Sequence, residues 1–221
     1  MTSATVESFH LLLKDFLKAA YLLTHSQQSF SQENFANKLN RTADEAKALL
    51  SVLLSLNMVK LVGEPTGHYQ ITTGGQNNLQ FVMTGGVFDI LHLGHLKTLE
   101  AARSQGDILF VVVASDKTVE RNKGRPPMNK LQNRMDLLEH LDIVDMVVPG
   151  ATDPQKFIEI VAFYQPDVIV LGYDQSLSES RLLEMLYEKG LSNVEVIRLD
   201  VSVPDEKSSL KKSKIDIHSF D

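Results

Sequence analysis

The run Ile108-Leu109-Phe110-Val111-Val112-Val113-Ala114 is apolar at every position. An amphipathic helix or a one-sided strand would show polar residues at regular intervals, so the run reads as a strand buried on both faces. Such strands belong to parallel sheets, and parallel neighbours need long crossovers that are usually helical. The flanking sequence supplies that alternation. Strands are predicted at 81–84, 108–114, 143–148, 168–171 and 194–199, and helices at 93–104, 131–140, 154–164 and 179–189. Between the second strand and its helix lies a basic stretch, 121–130, read as a loop. Five strands with helical crossovers make a five-stranded parallel, doubly wound α/β domain over residues 81–221.

Residues 1–72 follow a different period. Val6, Phe9, Leu12, Leu13, Phe16, Leu17 and Ala20 recur at steps of three and four, the stripe of an amphipathic helix that the polar stretch from Thr24 ends. Ser31 is placed to cap a second helix reaching Leu39. Thr42, with Glu45 three residues on, forms a capping-box pattern ahead of a third. Two short strands, 58–62 and 68–72, flank a Gly-Pro turn. Three helices and then a hairpin is the order of a small winged-helix domain. Residues 73–80, polar and Gly-rich, read as a linker.

Charge decides between the uses of such a module. Residues 1–78 carry six Lys and Arg and six Asp and Glu, so they lack the basic footprint of a DNA reader. Dimerisation or partner contact is the better reading, with nucleic-acid binding less favoured. The whole chain has a net charge of −6, which argues against non-specific nucleic-acid coating. It has no cysteine, so thiolate nucleophiles, disulfides and Cys-based zinc sites are excluded. No apolar run approaches the ~20 residues that span a bilayer, and no signal-peptide pattern opens the chain. The expectation is a cytoplasmic protein with no membrane contact.

The chemistry lies after the first strand of the α/β region, in Thr84-Gly85-Gly86-Val87-Phe88-Asp89-Ile90-Leu91-His92-Leu93-Gly94-His95. The glycines let main chain approach a ligand. His-x-Gly-His then opens a helix, whose first N–H groups and dipole favour phosphate. Gly94 leaves room for that approach. With 7 His and 12 Gly in 221 residues, chance would place this pattern about 0.01 times per chain. A zinc site is disfavoured because two histidines without a third ligand make an incomplete set.

This segment resembles the signature of the HxGH nucleotidyltransferases, the superfamily that includes the cytidylyltransferases. Further stretches narrow the likeness: Val112-Val113-Ala114-Ser115-Asp116-Lys117-Thr118-Val119, Lys123-Gly124-Arg125-Pro126-Pro127, and Pro166-Asp167-Val168-Ile169-Val170-Leu171-Gly172-Tyr173-Asp174-Gln175. With them, residues 81 to about 215 resemble the archaeal FAD synthetases, which are FMN adenylyltransferases. The resemblance implies a Rossmann-like nucleotidyltransferase domain and the reaction ATP + FMN → FAD + pyrophosphate, by in-line attack of the FMN phosphate on the α-phosphorus. A divalent metal, magnesium with ATP, is implied, as is homodimerisation.

The resemblance also implies roles. His92 and His95 bind phosphate oxygens and stabilise transition-state charge. Lys123 and Arg125 neutralise the incoming phosphate or the leaving pyrophosphate. Val87, Phe88, Leu93 and Gly94 line the nucleotide site, Arg134 assists, and Asp174 contacts the nucleotide. Asp89 orients a histidine or approaches the metal. Ser209 and Ser213 are the nearest match to a C-terminal Ser-rich nucleotide motif, here without its Arg. Many relatives have Thr where this chain has Val87, and Val occurs there in choline- and ethanolamine-phosphate cytidylyltransferases. The residue chemistry therefore leaves a second reading open: a CTP-dependent cytidylyltransferase acting on a small phosphorylated alcohol such as glycerol 3-phosphate. A third is a nucleotide- or flavin-sensing DNA-binding regulator.

Overall fold

A computed structural model describes residues 3–63, 67–153, 156–173 and 175–199, with side chains from residue 10 onward. Asp174, Ser209 and Ser213 lie outside the described residues. The chain divides into two compact units, Met1–Leu79 and Gln80–Asp221.

The first unit runs α1 (Ser3–Gln27), β1 (Phe30–Ser31), α2 (Gln32–Leu39), α3 (Ala43–Ser55), β2 (Val59–Val62), β3 (His68–Ile71) and α4 (Thr73–Gln76). Both predicted caps form. The Ser31 hydroxyl accepts the Asn34 N–H, the Thr42 hydroxyl accepts that of Glu45, and each partner side chain reaches back to its cap backbone. Helix α1 continues past Thr24 to Gln27. The Thr24 side chain is not a terminator here: its hydroxyl accepts the Ile71 N–H at 3.1 Å. Strand β1, absent from the sequence expectation, pairs antiparallel with β3 and makes the hairpin a three-stranded sheet of order β1-β3-β2. A two-residue strand has too little length to show a period. Phe30 anchors it, stacked on Phe35 at 5.6 Å and Tyr69 at 6.0 Å. Within the stretch expected as linker, 73–76 is helical, capped by Thr72. Gly75 is required there because a Cβ would strike the Met58 carbonyl.

The second unit runs β4 (Phe81–Gly86), α5 (Leu93–Arg103), β5 (Ile108–Val113), α6 (Asp116–Lys123), α7 (Leu131–Glu139), β6 (Met146–Pro149), α8 (Phe157–Tyr164), β7 (Val168–Leu171), α9 (Glu179–Glu188) and β8 (Glu195–Arg198). The five strands are parallel, in the order β6-β5-β4-β7-β8. Strand β5 is buried at every position, as its composition requires. On one face Val82, Leu109, Val111, Val113, Val168 and Val170 pack with Leu99 and Ala102 of α5 and Leu138 of α7. On the other, Phe110 meets Tyr164 of α8 at 5.2 Å. The sheet is thus covered on both sides.

Register is pinned at the amino edge by one repeated device. Asp107, Asp145 and Asp167 each accept a main-chain N–H at or just before the start of a neighbouring strand, from Gln80, Leu109 and Phe81 respectively, at 2.7–2.9 Å. Among the described residues no helix is long and apolar enough to cross a membrane.

The chain moves outward from β4 in both directions, to β5 and β6 on one side and to β7 and β8 on the other. The carboxyl ends of β4 and β7 therefore flank the switch point, where open α/β sheets bind ligands.

In the α/β unit two sequence expectations change. Residues 143–145 are not strand; β6 begins at Met146, because Ile143 and Val144 instead supply apolar contacts to the α5–α7 face. The stretch after β5 is helical through Lys123, so only 124–130 remains a loop. Helix α6 is strongly polar and shows little apolar period, but Ser115 caps it and Gly124, at φ +66°, ends it.

Candidate active site

Strand β4 delivers Gly85 and Gly86 to the carboxyl edge. A side chain at Gly86 would place its Cβ 2.8 Å from the Phe88 ring, so glycine is needed for that ring to fold back. Phe88 itself is buried and has a φ of +49°, an uncommon conformation for a bulky residue. The ring lies 5.2 Å from that of His95. Strain at Phe88 is thus tied to the placement of a histidine.

His92 is the N-cap of α5, with extended backbone, and its Nδ1 accepts the Gly94 N–H at 3.1 Å. A ring nitrogen that accepts carries no proton, so the neutral His92 ring carries its proton on Nε2. His95 lies on the first turn, with its ring centre 4.0 Å from that of His92 and its Nδ1 buried. Two imidazoles side by side at a helix N-terminus, beyond the switch point, form a compact anion-binding arrangement. Leu93 and Gly94 place the first amides of the same helix there.

The remaining candidates divide into surface and support. Lys123 and Arg125 are exposed, one closing α6 and the other one residue past its Gly124 cap. Arg134 was expected to assist at the ligand. Its side chain is instead fully buried beneath the loops. Its guanidinium donates to the carbonyls of Asn129 at 3.0 Å, Val87 at 2.5 Å and Ala114 at 2.7 Å, and to Asp116 Oδ1 at 2.8 Å. Four such bonds hold the three loops around β4 and β5 together.

Asp89 plays a parallel part. It is buried, and its two carboxylate oxygens accept the N–H groups of Met128 at 3.0 Å and Asn129 at 2.8 Å. The Asn129 amide returns a bond to the Asp89 carbonyl. The loop carrying Arg125 is thereby fastened to the glycine–histidine segment. The Val87 carbonyl faces Arg134, so the group it presents to the support is main-chain, and a Thr hydroxyl is not required for it.

Asn129, Asp116, Gln175 and Arg198 were not singled out from sequence. Gln175, following β7, donates its side-chain amide to the Gly85 carbonyl and so spans the switch point. Arg198 fastens the loop after β7. A signal existed for Arg198: a charge set between the apolar residues Ile197 and Leu199 needs partners. Among the described residues no group of three or more His, Asp or Glu side chains is disposed to hold a metal ion.

The cytidylyltransferase-like family model matches residues 83–216. The chain belongs to that family. The FAD synthase of Thermococcus sibiricus is 46% identical over 131 residues, covering 59% of this chain and 87% of that protein. That of Pyrococcus abyssi is 43% identical over 132 residues, covering 59% and 87%. Within the family, the chain therefore groups with archaeal FAD synthases. A crystal structure of a lipopolysaccharide core biosynthesis protein from Thermoplasma volcanium aligns with a TM-score of 0.53 at 36% identity, covering 57% of this chain and 99% of that one. The family match thus bears on the α/β unit; residues before 83 lie outside it.

Proposed function

We propose that this protein is an FMN adenylyltransferase, joining ATP and FMN to give FAD and pyrophosphate. The observation that carries the reading is the His92–His95 pair, 4.0 Å apart at the N-terminus of α5 beside the β4 glycines, in a chain whose relatives are FAD synthases.

The reaction asks little covalent chemistry of the protein. An oxygen of the FMN phosphate attacks the ATP α-phosphorus in line. One P–O bond forms, the bond from the α-phosphorus to the α–β bridging oxygen breaks, and pyrophosphate leaves with the electron pair. Negative charge concentrates on the α-phosphoryl oxygens and then on the leaving group. His92, donating from Nε2, and His95 stabilise the former, and the positive end of the α5 dipole adds to this. Lys123 and Arg125 neutralise the incoming phosphate or the departing pyrophosphate. Main chain at Val87 and Phe88 lines the nucleotide site, and Asp174 contacts the nucleotide, with Ser209 and Ser213 as further candidates.

A divalent cation, magnesium, accompanies ATP and supplies charge neutralisation at its phosphates. The donor set here fits an ion held mainly by substrate phosphates and water, the usual magnesium arrangement, because both oxygens of Asp89 accept from loop amides. For the first unit we favour a winged-helix-like module for dimerisation or partner contact. Its third helix exposes Asp44 and Glu45 beside Lys47, which supports that reading over DNA binding.

The test is pyrophosphate release with magnesium, crossing ATP and CTP against FMN and glycerol 3-phosphate. Release with ATP and FMN alone, with FAD identified by chromatography, is the expected result. Release with CTP and glycerol 3-phosphate would transfer the same phosphate site to cytidylyl transfer.

A further inference from the structure

Arg198 stands at the carboxyl end of β8, where an arginine in a nucleotide enzyme invites the reading of a phosphate ligand. Its bonds point elsewhere. Nη1 donates to the carbonyls of Gly172 at 2.9 Å and Gln175 at 3.3 Å, Nη2 to that of Leu177, and Nε to Glu179 Oε1 at 3.1 Å. The side chain is 23% exposed. Four of the five guanidinium N–H groups are thus engaged within the protein. Three of the acceptors are carbonyls of one loop, the segment joining β7 to α9. The Gln175 backbone held by Arg198 carries the side chain that donates to the Gly85 carbonyl. A chain of contacts therefore runs from β8, through the loop, to the first glycine of the phosphate turn.

We infer that Arg198 is a positioning residue of the nucleotide site that acts through Gln175, setting the geometry of the Gly85-Gly86 end of β4 from across the switch point. The inference rests on the nucleotidyltransferase reading above. It assigns Arg198 no contact with substrate. The planar fork matters because one side chain must serve several carbonyls at once, which a lysine ammonium on a flexible stem does poorly. Gln175 matters because its side-chain amide links the fixed loop to the Gly85 carbonyl.

The experiment compares Arg198→Met, Arg198→Lys, Gln175→Met and the double variant Arg198→Met/Gln175→Met in the full chain. Affinity for the unreactive analogue α,β-methylene-ATP is measured by titration calorimetry with magnesium, alongside KM and kcat for ATP and FMN. Arg198→Met is expected to weaken the analogue and raise the KM for ATP by about tenfold, within the range an ångström-scale misplacement costs. The KM for FMN stays unchanged, and Arg198→Lys recovers little. Gln175→Met shifts ATP in the same direction, and the double variant is no worse than Arg198→Met alone, the signature of one shared pathway. A merely structural arginine would lower the folded fraction and kcat while leaving both affinities as they were.

Unchanged analogue affinity in a folded Arg198→Met, or additive losses in the double variant, would overturn the inference. If Arg198→Met does not fold, Gln175→Met carries the test, since Gln175 is only half-buried; unchanged affinity there overturns it equally. Wild-type protein that binds the analogue but makes no FAD strikes the FMN reading alone, and the titrations still decide the role of Arg198. Wild-type protein that does not bind the analogue overturns both.

Discussion

Arg134 Nη2 lies 2.8 Å from Asp116 Oδ1, with the arginine side chain fully buried and the aspartate 45% exposed. The asymmetry determines what each partner is worth. Removing Arg134 leaves the carbonyls of Val87, Ala114 and Asn129 without this buried donor beneath the loops. Arg134→Met is expected to destabilise the α/β unit by about 3 kcal/mol, the scale for breaking a buried charged network. Asp116→Asn keeps an acceptor at a half-exposed position and should cost about 1 kcal/mol. Chemical denaturation of both variants measures the difference. Equal, small losses would show that the buried bonds of Arg134 contribute little to holding the loops.

His92 does two jobs that substitution can separate. As N-cap it holds the Gly94 N–H, and as a ring it faces the site beside His95. His92→Ala should cost about 1 kcal/mol of stability through the lost cap, and turnover should fall by about two to three orders of magnitude through lost charge stabilisation. His92→Asn restores a cap acceptor, so stability should return while turnover does not. His95→Ala should lower turnover comparably without a cap effect. Thermal melts paired with FAD formation read both quantities. Recovery of turnover in His92→Asn would reduce the residue to a cap.

The order of the five strands of the α/β unit was legible because each is either uniformly apolar, like β5, or bounded by clear turn residues. The pair His92 and His95 was legible because sequence neighbours one turn apart on a helix are spatial neighbours. What escaped was support that depends on distant segments meeting. Asp89 reads as a site carboxylate until Met128 and Asn129 are seen to fill both its oxygens. Arg134 reads as a residue that assists at the nucleotide until its side chain is seen buried among loop carbonyls. Gln175 and Gly85 are 90 residues apart in the chain, and no local period links them. Helix α6 escaped for another reason: it is almost wholly solvated, with Val119 its one buried residue, so no apolar stripe announces it.

Gly86→Ala offers a local test of the strained turn. Its Cβ would sit 2.8 Å from the Phe88 ring, which in turn lies 5.2 Å from the ring of His95. The ring must move, and the left-handed backbone at Phe88 moves with it. A loss of about 1–3 kcal/mol is expected from overpacking, together with a fall in kcat of about tenfold or more as His95 is displaced. Full activity in Gly86→Ala would show that the turn tolerates a shifted ring.

The capping box of α3 predicts a pH dependence in the first unit. The Glu45 carboxyl is held below its ordinary value, chiefly by the Thr42 backbone N–H, then by the Thr42 hydroxyl, with Arg41 adding to the effect. Because the folded value is depressed, its contribution is fully present above the unfolded value and is lost as pH falls through the folded one. Thr42→Ala should lower the stability of the unit by about 1 kcal/mol at neutral pH. The gap between wild type and variant should narrow as pH falls through the acid range. Melts from neutral to acid pH follow the gap; one that widens toward acid would reverse the assignment.

Asp89 decides between support and metal binding. As support, its two oxygens accept the Met128 and Asn129 amides at 3.0 and 2.8 Å. In Asp89→Asn one oxygen becomes a second donor facing an N–H group, so a bond is replaced by a repulsion. The expected loss is about 1–3 kcal/mol, the cost of a buried donor left without its acceptor. Turnover should fall as well, because the loop that carries Arg125 is no longer fastened to the histidine segment. The concentration of magnesium giving half-maximal rate should stay where it is in wild type, since no ligand to the ion has been removed. A carboxylate that approached the ion would behave otherwise: its loss would move the magnesium dependence upward by an order of magnitude or so while leaving the melt less affected. Measuring the melt and the magnesium curve on the same preparation separates the two, because each role moves one and spares the other.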